Sequence, residues 1–215
     1  PEPYHGDAGP ISIRRWTEDE LVPTQAAFIE AALEHGFPAS ADVNAPDAVG
    51  VGPMAMNNLN DLFVHFVRDM YYAEKQILKT LPKMAKKADS DQLGKAFEHH
   101  RAETEGQIEN LEKVFELLDL KPRGVTCEAI KGILEEGKEI MEEAGDNDTR
   151  DAGMIAAAQA VEHYEITRYG TMVAWAKRLG MADAAKLLQA NLDQEYAADT
   201  KLSKLAEGSL NKQAA

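Results

Sequence analysis

From Leu59 onward, apolar residues return every three or four positions, the period of one helix face rather than the alternation of a strand. Four long helices are expected. The first covers residues 59–88 with Phe63, Val67, Met70, Glu74, Ile77 and Leu81 on one stripe, and Pro82 should kink or loosen its last turns. The second covers 90–118, with Leu93, Phe97, His100, Glu103, Gln107, Leu111, Val114 and Leu118 facing inward. Residues 119–124, with Pro122, break the pattern, and a shorter amphipathic helix follows over 127–143. The polar run GDNDTRD reads as a turn leading into the third long helix, 151–179, whose stripe is Ile155, Ala158, Glu162, Glu165, Tyr169 and Met172. Gly180 ends it. The fourth covers 182–207 with Ala185, Leu188, Leu192, Glu195, Asp199, Leu202 and Ala206 inward, and SLNKQAA is expected to fray. The fold class is therefore all-α: a four-helix bundle with one extra short helix.

Residues 1–57 break from this pattern. They contain no lysine, carry Arg14 and Arg15 as their bases, and hold most of the prolines. GPISIRRW alternates like a short strand, Thr17 with the acids after it reads as a helix start, and QAAFIEAALEH reads as a helix closed by Gly36. So little regular structure buries too little surface to fold alone. The expected division is a small irregular N-terminal appendage, 1–57, and a bundle, 58–210. The apolar face of Phe28, Ile29, Ala32 and Leu33 is expected to be covered by the bundle or by a second subunit, most simply in a homodimer.

Charge narrows the choice of partner. The chain carries 37 acidic and 23 basic residues, a formal net charge of −14. No basic patch exists to displace phosphate counterions, which argues against nucleic acid and against an anionic membrane surface. No apolar run approaches the roughly 18 residues that span a bilayer. One cysteine, Cys127, rules out an intramolecular disulfide framework, and a cytoplasmic setting is expected. Metal cations are the natural partner for this composition.

The acids are placed accordingly. Each long helix carries an acid on its own apolar stripe: Glu74, then Glu103, then the pair Glu162 and Glu165, then Glu195 with Asp199. Each lies roughly 18 to 25 Å from its helix start at 1.5 Å per residue. In an antiparallel bundle, midpoints meet in one layer, so six carboxylates are expected to converge. A buried unpaired ion costs several kcal/mol, and six would exceed the total stability of about 5–15 kcal/mol of a domain. The lysines and arginines fall largely on outward positions. A pair of metal ions answers the charge, and hard carboxylate oxygens on facing helices suit iron or manganese.

Two resemblances follow. The run LNDLFVHFVRDMYYAEKQIL, HHRAETEGQIENLEKVF, AAQAVEHYEITRYGTMVAWAKRLG and LDQEYAADTKLSKLAE resembles the YciE/YciF-type ferritin-like family of bacterial stress-associated proteins over residues 59–207. The resemblance implies a ferritin-like bundle related to the rubrerythrins, with a di-iron type site at Glu74, Glu103, Glu162, Glu165 and Glu195. Ferritin-like sites commonly place a His three residues after the second-helix Glu, where this chain has Gly106. His100, one turn earlier, and Gln107, one turn later, are the candidates to replace it. The fourth-helix His position holds Asp199 or a near neighbour. Residues 4–58, with YHGDAGPISIRR, AFIEAALEHGFPASADVN and GVGPMAMNN, resemble an internal piece of the glucose-methanol-choline oxidoreductases, choline dehydrogenase in particular. The chain lacks the Gly-rich dinucleotide fingerprint those enzymes use, so no FAD is expected.

The candidate metal ligands are Glu74, His100, Glu103, Glu162, Glu165, Glu195 and Asp199. His163 points about 100° from Glu162 and is expected at the surface or behind the ligands. Tyr71, Tyr164 and Tyr169 are candidates to donate to site carboxylates, with core packing the plainer role for Tyr169. Cys127, at a helix start, sits where a thiolate can be stabilised. The expected function is a dinuclear carboxylate-bridged iron or manganese protein reacting with oxygen or peroxide, as a ferroxidase, peroxidase or catalase-like enzyme. The alternative is a non-enzymatic stress-related bundle with a structural or vestigial site.

Overall fold

The computed structural model describes residues 23–35, 56 and 58–215. The expected GPISIRRW strand and the Thr17 helix start lie outside the described residues. The chain divides into two units, Pro1–Leu62 and Phe63–Ala215. In the first, α1 spans Pro23–Glu34. Its last turn carries Leu33, which is exposed.

The bundle consists of α2 (Leu59–Lys87), α3 (Asp91–Leu117), α4 (Glu128–Glu143), α5 (Asn147–Arg178) and α6 (Ala182–Leu205). A π-helical turn, Ala206–Leu210, and one last turn, α7 (Asn211–Gln213), follow. Local signals set the boundaries. Ser90 caps α3 by accepting from the Leu93 amide, and Asp119, with φ at 54°, follows its end in the left-handed region. Gly180, φ 75°, turns the chain from α5 into α6.

Two expectations are corrected. GDNDTRD is mostly helix: Asp146 accepts from the Thr149 amide at 2.7 Å, so α5 starts at Asn147. An acid at an N-cap has the same polarity as a turn residue, so the local pattern does not separate the two. Pro82 lies within α2, in its last two turns, and the helix continues past it to Lys87. The tail does not fray at SLNKQAA, because Ala206 and Leu210 are buried in the core. The wider π turn carries both inward.

The topology places the helix midpoints side by side. The α3 end returns to the first half of α2, where the Val125 amide donates to the Arg68 carbonyl at 3.2 Å. From there α4 runs back along α5, with Gly137 against Ala157. The start of α5 therefore meets the end of α2: the Asp151 carboxylate accepts from the amides of Asp89 (3.0 Å) and Ser90 (2.7 Å). Helix α2 is thus antiparallel to α3 and to α5, and α6 is antiparallel to the same two. The core is continuous through the four, from Phe63 and Val67 through Leu93, Phe115, Met154 and Met172 to Leu188 and Leu202. Among the described residues, no helix is long and apolar enough to cross a membrane.

Candidate metal centre

At mid-height the apolar core is interrupted. His100 of α3, Glu162 and Glu165 of α5, and Glu195 of α6 each bring one ligand atom into a group whose members all lie within 4.8 Å of one another, and all four residues are buried. The His100 Nε2 stands 3.4 Å from Glu162 Oε1 and 4.0 Å from Glu195 Oε2. Glu74 of α2 is fully buried too, and Tyr169 donates to its Oε1. Asn191 in turn donates to the Tyr169 hydroxyl at 3.0 Å. Gln107 donates through Nε2 to Glu195 Oε1.

The candidates divide by their angle about each helix axis. Glu103 is only partly covered: its Oε2 lies 3.0 Å from His99 Nδ1 and 3.6 Å from His100 Nδ1. Asp199 turns to the outer side of the α5–α6 seam, accepting from Gln159 at 2.9 Å and lying 3.3 Å from the exposed His163. The expected six-carboxylate layer is therefore corrected to four fully enclosed acids and two at the margin. A stripe pattern constrains one helix at a time, and packing turns Glu103 and Asp199 toward the edges of the layer. Of the two candidates for the missing histidine, His100 joins the compact group and Gln107 stands behind Glu195. Cys127 is corrected as well: burial pushes its thiol up, and its Sγ lies 2.9 Å from the Tyr164 hydroxyl, which itself donates to Asp69 at 2.6 Å.

Electrostatics show the cost of this packing. Burial, then the Glu195 charge, pushes Glu74 up to about 8. Burial, with the charge of Glu74 behind it, pushes Glu162 up to about 8. Burial, then the charges of Glu195 and Glu74, raises Glu165, and burial, then the charge of Glu162, raises Glu195. For His100, burial works against the charged form, but Glu103, Glu195 and Glu74 outweigh it and hold the imidazole above its usual range. Both nitrogens of His100, both carboxylate oxygens of Glu165, and one oxygen each of Glu74, Glu162 and Glu195 are buried without a hydrogen-bond partner. Buried polar atoms are rarely left so. Neighbours that were not hydrogen-bonded to each other, yet crowd within a few ångströms, match the donor set of a cation. Two atoms about 2.1 Å from one ion at right angles stand roughly 3 Å apart. One imidazole and several carboxylate oxygens make a mixed nitrogen and oxygen donor set that could hold a cation.

Sequence reasoning missed Asn191, Asp69 and Asp151. Asn191 precedes Glu195 by one turn on the α6 inner stripe, so the stripe pattern held the signal. Asp69 and Asp151 carried none, since each is buried by a partner on another element.

Residues 58–215 match the family described as Domain of unknown function (DUF892). The chain belongs to that family. It is 44% identical over 162 residues to Protein YciF of Escherichia coli (strain K12), which is 75% of this chain and 98% of that protein. The crystal structure of that E. coli stress protein superposes with a TM-score of 0.70, covering 73% of this chain and 99% of YciF. A putative structural protein from Rhodopseudomonas palustris also superposes with a TM-score of 0.70, at 46% identity over 71% of this chain and 98% of that one. A 54-residue stretch is 48% identical to an uncharacterized GMC-type oxidoreductase of Rhodococcus erythropolis, covering 25% of this chain and 11% of that protein.

Proposed function

We propose that the DUF892 bundle of this chain is a dinuclear, carboxylate-bridged metal protein, holding iron or manganese and reacting with dioxygen or peroxide under stress. The observation that carries this reading is the set of buried, unpartnered ligand atoms on His100, Glu162, Glu165 and Glu195. Glu74 joins them as the fourth enclosed carboxylate, and Glu103 supplies a further carboxylate at the margin. Four carboxylates carry the charge that two divalent cations neutralise. When bound, such ions supply Lewis-acid and redox chemistry. The protein's own part is to hold the donors rigid: Tyr169 fixes Glu74, Gln107 fixes Glu195, and Asn191 orients Tyr169. The stress role is taken from the E. coli relative, described as a stress protein. A homodimer belongs to the same reading, and light scattering of the purified chain tests it.

Metal analysis of protein purified without chelator, with anomalous scattering at the iron and manganese edges, is the test. Two ions per chain are expected. Fewer than about one ion per chain, together with melting that a chelator leaves unchanged, would sink the reading.

A second reading has its own support. Carboxylates whose pKa values rise toward neutrality can stay protonated, and the R. palustris relative is described as a putative structural protein. The bundle would then act through assembly, with a vestigial site.

A further inference from the structure

A cavity of about 30 Å³ lies beside the carboxylate group, reaching it at His100 and Glu162. Its remaining walls are mostly apolar. It exists because three helices place alanine where a larger residue would close the core: Ala96 on α3, Ala158 on α5 and Ala198 on α6, each no more than 8% exposed. Leu81, Phe97 and Leu202 contribute most of the larger apolar wall, Thr80 and Glu103 add polar groups to it, and the exposed His99 and Lys201 stand at the solvent side. Two independent features thus coincide: an apolar void, and buried His100 and Glu162 atoms at its inner end that have no hydrogen-bond partner.

We infer that this cavity is the binding and entry site for dioxygen, and that it selects this small apolar oxidant over peroxide. The inference rests on the metal reading above and names its oxidant. Size limits the occupant to a few heavy atoms, since a single water needs roughly 10–15 Å³ on the same measure. Polarity limits it further. Peroxide is hydrated in water, and its two hydroxyls would exchange those partners for a mostly apolar wall with few polar side chains. Dioxygen loses nothing of that kind, and apolar cavities accept gas-sized ligands readily.

Xenon pressurisation of crystals of the full-length, metal-free protein tests the site without any activity. Xenon is expected between Leu81, Phe97 and Leu202. Ala158→Leu and, from the facing helix, Ala198→Leu are each expected to lose that xenon. In metal-loaded protein, whichever variant folds should keep the wild-type metal content while oxidation by dioxygen slows. Ordered water in place of xenon, or a filled-cavity variant that reacts with dioxygen at the wild-type rate, would overturn the inference. Failure of the metal reading shows separately, as low metal content in a protein that still binds xenon.

Discussion

The His100 Nε2 and the Glu162 Oε1 stand 3.4 Å apart across the α3–α5 diagonal, both buried, and neither His100 nitrogen makes a hydrogen bond. A histidine and a glutamate so close would ordinarily share a proton in a formed bond. Both belong to the buried group of four residues whose ligand atoms lie within 4.8 Å of one another, an arrangement that could hold a cation.

That set predicts which acids matter. Glu165→Ala and His100→Ala should each lower the metal content of purified protein sharply. Asp199→Ala should leave it at the wild-type level, because Asp199 faces Gln159 and His163. Elemental analysis of the three variants, side by side, decides this.

Stability of the metal-free protein should fall as pH rises. Glu74 and Glu162 are pushed from the usual carboxylate range up to about 8, so between about pH 4.5 and 8 the folded chain binds more protons than the unfolded one. Their contribution is fully present below the unfolded value and is lost through the folded one. Each extra bound proton steepens the fall by about 1.4 kcal/mol per pH unit. Metal loading should reverse the trend, since ligands must be deprotonated to bind. Urea titrations of both forms at pH 5, 6.5 and 8 measure it; a metal-free protein most stable at pH 8 would refute the assignment.

Tyr169→Phe should destabilise the chain by about 1–3 kcal/mol, because it strips Glu74 of its donor and Asn191 of its acceptor within the core. The shape of the ring is kept, so the loss isolates the hydroxyl. Chemical denaturation reads it.

Asp151→Ala removes the acceptor for two backbone amides at the α2–α3 turn, at 2% exposure, and should cost about 1–3 kcal/mol. Asp151→Asn keeps one acceptor and should recover part of this. The thermal midpoints of the two variants make the comparison.

Gly124→Ala should also destabilise, by about 1–3 kcal/mol, since the added Cβ would meet Tyr72 Cβ at 3.0 Å and its backbone Cα at 3.2 Å. Helix backbone cannot move aside as a side-chain tip can. Loss of stability without loss of metal content is expected.

The sequence alone determined the helices and the depth of the acids in them. Periodicity is local, and the stripe from Phe63 to Leu81 is buried as read, as is the stripe from Ile155 to Met172. It also placed His100 and Gln107 as rivals for one role. Only the tertiary structure brought His100 into the buried group and set Gln107 against Glu195, and only it turned Glu103 and Asp199 to the margin while joining Glu74, Tyr169 and Asn191 across three helices. The reason is angular. An apolar stripe is about 100° wide or more, so the pattern fixes a face; which edge of that face meets the centre depends on how neighbouring helices rotate to pack.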